Sequence, residues 1–215
     1  MNTMTLKAAL LALPLSLSAA VQAADYKITI TNLTHAQSFT PALAVSHKAG
    51  QPVFSLGDPA SAELEAVSEG GDTGPLATML ESSEDTRDIA SSDGLLMPGE
   101  SVTIELDAEG EFRYVSLVSM LIPTNEAFIG LSGFKLPKRA GKPEMVMVPA
   151  FDAGTEMNDE SCDHIPGPVC GGDGLSQDDN DGVVSVHRGI HGIDDLPAET
   201  YDWRSPTARI TIEKM

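Results

Sequence analysis

Residues 119–160 read SMLIPTNEAFIGLSGFKLPKRAGKPEMVMVPAFDAGTEMNDE. Short apolar runs at 127–131 and 145–148, and the end of a longer one at 112–122, have strand length rather than helix length and are punctuated by Pro and Gly. Two turns here are dense in side-chain oxygen. Pro123-Thr124-Asn125-Glu126 follows one run, and Phe151-Asp152-Ala153-Gly154-Thr155-Glu156, continued by Met157-Asn158-Asp159-Glu160, follows another. If the runs share a sheet, Glu126, Asp152 and Glu156 converge at one edge. Three carboxylates together repel, and a hard cation such as Ca²⁺, which takes about six to eight oxygens, relieves that repulsion. Asn125, Thr155 and Asp159 are further oxygen donors for it. Acidic turns that are simply solvated are the competing reading.

Outward from this stretch the pattern is β throughout. Residues 26–31 (YKITIT) alternate, with Tyr26, Ile28 and Ile30 on one face and Lys27, Thr29 and Thr31 on the other. Residues 101–108 alternate with Val102, Ile104 and Leu106 inward, and residues 208–214 with Ala208, Ile210 and Ile212 inward. The run 112–122 is apolar at nearly every position, as a central strand is. Further strands are expected at 40–46 and 183–187, with His35 and His47 as polar loop residues beside the first. A short helix is expected over 61–69, between Asp58-Pro59 and Gly70-Gly71, and a second helical turn over 75–81. Leu64, Val67, Leu76, Met79 and Leu80 would then cover one flank. Residues 82–93 read as polar loop. Short strands, many turns and little helix predict an all-β antiparallel sandwich with one or two short helices and long acidic loops.

The chain has 215 residues, enough for one domain with a proper core. Residues 1–23 carry Lys7, an apolar stretch and Val21-Gln22-Ala23, the pattern of a secretory signal peptide. Residues 24–215 are then a single exported domain, periplasmic or extracellular, with no apolar run long enough to span a bilayer. Loss of Lys7 takes the net charge from −19 to −20. Such acidity excludes general binding to nucleic acid or anionic membranes and favours cations or basic partners. Against that background Lys138, Arg139 and Lys142 make a local positive spot. Cys162 and Cys170 are an even pair in an exported chain and predict a disulfide across a loop that Pro166, Gly167 and Pro168 can turn. Asn32-Leu33-Thr34 is a glycosylation sequon.

No nucleophile elbow, P-loop or dinucleotide fingerprint is present, and the expectation is a non-enzymatic protein. Asp178-Asp179-Asn180-Asp181-Gly182 resembles the start of an EF-hand loop, but Arg188 stands where that loop requires its last acid. His187, Arg188 and His191 form a polar cluster in a Gly-punctuated turn, with Asp194 and Asp195 as hydrogen-bonding candidates. A metal-dependent hydrolase using His187 and His191 is the catalytic alternative, without an HExxH motif to support it. A third alternative is an acidic matrix protein that binds through charge alone, without a specific pocket.

The two oxygen-rich segments, SMLIPTNEAFIGL and PAFDAGTEMNDE, followed by a last strand ARITI, resemble the spondin N-terminal domain family. Its matching segments read like S-M-x-x-P-S-x-D-W-F-x-G and W/Y-D-A-G-T-D. The resemblance implies a C2-like antiparallel β-sandwich. It also implies one Ca²⁺ held by an acid of the first motif and two of the second, here Glu126, Asp152 and Glu156. The expected role is that of an exported binding, cell-adhesion or matrix-type module, with a protein or glycan partner at the cell exterior and a monomeric state. Glu replaces the family's Asp at 126 and 156, which extends the reach of the carboxylates. Ala127 replaces its Trp, which weakens any transfer of a partner surface.

Overall fold

The computed structural model describes residues 25–175 and 182–215. The expected leader, and all of the acidic run 178–182 except Gly182, lie outside these residues. In chain order the elements are β1 (Tyr26–Asn32), β2 (Ser38–Phe39), β3 (Leu43–His47), α1 (Ala62–Gly70), α2 (Gly74–Glu81), β4 (Thr86–Ser91), β5 (Ser101–Leu106), β6 (Tyr114–Ile122), β7 (Ala127–Lys135), β8 (Glu144–Val148), β9 (Ala150–Asp152), β10 (Ser185–Val186), α3 (Ala198–Tyr201) and β11 (Ala208–Lys214). The strands form two antiparallel sheets. One runs β5-β1-β11-β8; the other runs β10-β9-β7-β6-β3-β4, with β2 also paired to β6. This is the expected all-β sandwich, with three short helices.

The alternating strands build the smaller sheet. Ile28 lies opposite Ile104 on one side and Ile212 on the other, and Ile30 lies opposite Val102 and Ile210. These rows face the other sheet, and Ile28, Ile210 and Ile212 are fully buried. Burying each such side chain contributes about 1.5–3 kcal/mol. The Thr and charged residues between them stay on the outer face, where Thr29 and Thr31 bond Thr103 and Ser101.

The larger sheet is covered on both faces, which explains the unbroken apolarity of β6. Leu117 and Leu121 face the inter-sheet core, while Val118 joins Leu43, Val45 and Phe128 beneath the helices. Helix α1 begins at Ser61, whose hydroxyl accepts from Leu64 N at 3.3 Å, and ends at Gly71 in the left-handed region. A Cβ at Gly71 would meet Thr40 Cγ2 at 2.6 Å, so the glycine also permits α1 to close onto the sheet. Leu64, Val67, Leu76 and Leu80 are the residues pressed inward, whereas Met79, expected among them, is exposed.

Three other expectations change. The predicted polar loop 82–93 contains β4, which hydrogen-bonds along β3 at the sheet edge. His47 is a buried strand residue whose Nε2 bonds Ser116 Oγ at 2.9 Å, and burial lowers its pKa. Asn32 of the sequon is fully buried, its amide donating to Gln37 O and Leu96 O, so the folded chain offers no acceptor for a glycan there. Among the described residues no helix is long and apolar enough to cross a membrane.

Candidate cation site

Strand register makes the site. β7 pairs with β9 so that Ala127 lies opposite Asp152, which brings Glu126, the residue before β7, beside the end of β9. The preceding turn is held by Thr124, whose hydroxyl donates to Leu121 O at 2.7 Å and accepts from Ala127 N at 3.1 Å. The following turn depends on Gly154, at φ +76°, with Val183 N only 2.6 Å from where a Cβ would stand. That close approach seats the segment leading to β10 against the acidic turn, and Gly182 N donates to Gly154 O at 3.0 Å.

Glu126 is fully buried. Its Oε2 accepts from Thr155 N at 2.6 Å, Thr155 Oγ1 at 3.0 Å and Glu156 N at 3.0 Å. Its Oε1 faces Asn158 Nδ2 at 3.3 Å, and the same nitrogen donates to Asp152 Oδ2 at 2.9 Å. Burial, then the neighbouring Asp152 charge, push Glu126 up to about 8, although the three donors on Oε2 oppose that rise. No Lys or Arg forms an ion pair with Glu126 among the described residues.

Glu156 lies one step away from this point. Its Oε1 is 3.4 Å from Asn125 Nδ2, and burial raises it to about 7. Asn125 is a clamp: Nδ2 also donates to Asp159 Oδ1 at 3.0 Å, and Oδ1 accepts from Glu160 N at 3.1 Å. Burial pushes Asp159 upward, but bonds from Ser161 N, Asn125 and His164 outweigh it and hold the carboxyl below its ordinary value. Glu126, Asp152 and Glu156 line one cleft of about 460 Å³, together with Glu160, His187, Arg188 and His191. Glu126 and Asp152 converge on a single point, whereas Glu156 turns toward Asn125. Asn125 and Asp159 stand behind the cleft. Among the described residues, no three His, Cys, Asp or Glu side chains surround one point closely enough to make a metal's ligand group.

The His187 turn closes the cleft differently from expectation. His187 Nδ1 accepts from Gly189 N at 3.0 Å, which leaves Nε2 to donate to Asn158 Oδ1 at 2.9 Å. Burial lowers the pKa of this imidazole, in keeping with the neutral tautomer that these bonds require. Its partner is therefore Asn158, not Asp194 or Asp195. His191 contributes its backbone: its N–H and that of Ile193 donate to the Glu160 carboxylate, the latter at 2.9 Å. Asp195 Oδ2 accepts from Cys162 N at 2.9 Å, and Cys162 and Cys170 form the expected disulfide. Arg188 is exposed and pairs with no acid among the described residues.

The model of the Spondin_N family matches residues 25–160. The chain belongs to the spondin N-terminal family. No curated protein matches it. The match runs from the start of the described fold to Glu160, so it contains every acid and amide of the cleft up to that residue. The spondin domain and its disulfide fit an exported protein.

Three residues in or beside the cleft take roles that the sequence pattern does not assign. Glu69, in the last turn of α1, is buried and accepts from Thr155 Oγ1 at 2.7 Å, so two carboxylates look at one hydroxyl. Asn158 bridges Glu126, Asp152 and His187. Glu160 is buried at φ +62°, a conformation L-residues seldom take, and its charge is met by backbone N–H groups from the 190–195 segment. The donor set that Glu126 and Asp152 offer is hard oxygen, and the point they share now holds the positive end of an amide dipole. As the side chains stand, two carboxylates share that point, and a cation there would require the Asn158 amide to turn and present its oxygen.

Proposed function

We propose that this spondin domain is a non-enzymatic binding module whose acidic cleft takes Ca²⁺. Glu126 and Asp152 are the first ligands, and Glu156, turned back from Asn125, and the Asn158 oxygen join them. The observation that carries the reading is Glu126: a fully buried carboxyl beside a second acid, without a Lys or Arg partner among the described residues. An ionised group buried in this way is costly unless compensated. Bound calcium would supply that compensation and could leave an open coordination position for a carboxylate of a partner protein or glycan. Glu126 would hold the 154–156 turn through its three donors, Asn125 would hold residues 156–160, and Glu160 would hold the 190–195 segment. The cleft wall is thereby tied together from three parts of the chain. The module would act in the periplasm or at the cell exterior, in an adhesion or matrix role.

The test is thermal unfolding of the mature protein in calcium and in chelator. At calcium about 100-fold above Kd the native state gains about 2.7 kcal/mol, a shift that should vanish in Asp152→Asn. A midpoint indifferent to calcium in the wild type removes the proposal.

A further inference from the structure

The corner where β7 passes into β8 plays no part in the cation reading. A groove of about 480 Å³ lies there, floored by Leu136 and Pro137 and rimmed by Lys135, Lys138, Arg139 and Lys142. Glu144 is the single acid of its lining. These four cations come from only 13 Lys and Arg in a chain of net charge −19. None of them forms an ion pair among the described residues, while Lys48, Arg87 and Arg204 each do. The loop is not loose at its base. Tyr26 Oη donates to Pro137 O at 3.0 Å, and Leu136 N donates to Arg113 O at 2.9 Å. Concentrating like charges on a fixed base costs repulsion, which an anionic ligand would relieve.

A second observation adjoins the groove. Glu144 is also the first residue of β8, which ends the smaller sheet. β11 is the only strand paired with β8 among the described residues. Val146 and Val148 turn to the core, so Met145 and Met147 point outward, 59% and 51% exposed. Proteins usually blunt such an edge with charge or a bulge. Here the strand interior carries neither, and only Pro143 and Pro149 bound it. An open edge offers backbone N–H and C=O groups to an extended chain, and the two Met side chains offer adaptable apolar contact.

We propose that this corner docks an extended acidic peptide, added to β8 as a fifth strand. Its carboxylates meet Lys138, Arg139 and Lys142, and its alternate apolar side chains cover Met145 and Met147. A polyanionic polysaccharide would use the cations alone and leave the strand edge and the methionines unexplained.

The experiment uses the mature protein and a fluorescein-labelled ten-residue peptide of alternating Glu and Val, read by fluorescence anisotropy in calcium and in chelator. Saturable binding is expected, independent of calcium, and weakened at least tenfold in the triple variant Lys138→Ala, Arg139→Ala, Lys142→Ala. All three residues are exposed, so an unchanged melting midpoint checks that the variant is folded. A peptide N-methylated at alternate residues keeps its charge but cannot extend the sheet, and it should lose binding. Absence of binding, equal binding by the triple variant, or equal binding of the N-methylated peptide overturns the proposal. So does chondroitin sulfate that binds the same residues more tightly than the peptide.

Discussion

Asn158 and His187 share one hydrogen bond, 2.9 Å from Oδ1 to Nε2, and that bond aims the Asn158 amide nitrogen at Asp152 and Glu126. The direction follows from Gly189, whose N–H can only donate and so makes His187 Nδ1 the acceptor. Turning the amide over, as a cation would require, places two donors against His187 or forces Gly189 N–H to lose its acceptor. Asn158→Asp removes the amide hydrogens and adds a third carboxylate. In chelator this variant should be less stable than wild type by about 1–3 kcal/mol. In calcium it should recover more than wild type does. Paired melting curves measure both, and a variant as stable as wild type in chelator would mean that the bridge contributes nothing.

Glu126 separates charge from hydrogen bonding. Glu126→Gln keeps an oxygen for Thr155 N and Glu156 N while removing the buried charge. Its new amide nitrogen faces Asn158 Nδ2 as donor to donor, so in chelator at pH 8 the variant should cost less than Glu126→Ala, and it should lose the calcium response. Glu126→Ala orphans those donors and should cost about 1–3 kcal/mol or more in either condition. Urea titrations of the two variants, with and without calcium, give the comparison.

The raised carboxyls set a pH dependence. Glu126 at about 8 and Glu156 at about 7 bind protons in the native state that the unfolded chain, near 4.5, has already released. Stability therefore falls as pH rises from about 4.5 through 8 and levels off above, because the native state holds more protons across that window. This component opposes the usual gain from paired acids such as Asp159, whose pKa is lowered. Saturating calcium favours the ionised carboxyls and should flatten the decline. Glu126→Gln should flatten it without calcium. Melting midpoints measured between pH 5 and pH 9 in chelator test this, and a wild-type curve with the same slope as Glu126→Gln would refute it.

The sandwich was legible where one face of a strand is wet. Ile28, Ile30, Ile104, Ile210 and Ile212 alternate with polar residues because the outer face of the smaller sheet is uncovered. β4 was illegible for the opposite reason. Thr86 to Ser91 show no clean alternation, since Ile89 and Ala90 are both only half-buried, and backbone pairing with β3 makes that segment a strand. Glu126 and Asp152 could be brought together from their turns because antiparallel pairing puts the start of one strand beside the end of its neighbour. The burial of Glu69 and Glu160 could not, since it depends on α1 and the 190–195 segment closing over the cleft. His47 failed similarly: an imidazole beside Lys48 reads as loop until Ser116 on the adjacent β6 is known to bond it.

The disulfide ties the cleft wall to the rest of the domain. Cys162 carries the N–H that holds Asp195, and Asp195 N in turn bonds Glu160 O at 3.1 Å. Closing so short a loop stabilises by about 2.5 kcal/mol on chain-entropy grounds. Replacing both cysteines by Ser should lower the midpoint by about 5–10 °C for a domain of this size. It should also weaken calcium binding, since the 160–195 contact loses its anchor. A variant that melts earlier but keeps its calcium affinity would confine the disulfide to global stability.

At Gly154 backbone and packing both forbid a side chain. At φ +76°, Ala is strained, and its Cβ would stand 2.6 Å from Val183 N and 2.8 Å from Val183 O. Neither atom is the end of a flexible side chain, so the segment before β10 must move away. β10 pairs with β9 through Asp152 opposite Ser185, and His187 N bonds Ala150 O at 3.0 Å, so that displacement pulls His187 from Asn158. Gly154→Ala should therefore cost more than the usual 1–3 kcal/mol or so of a strained residue. It should also expose residues 182–187 to limited proteolysis while β1, β5 and β11 stay protected. Hydrogen exchange resolved by peptide reads the two regions separately. Uniform destabilisation of both sheets would show that the 154–183 contact is not a local clasp but part of the global fold.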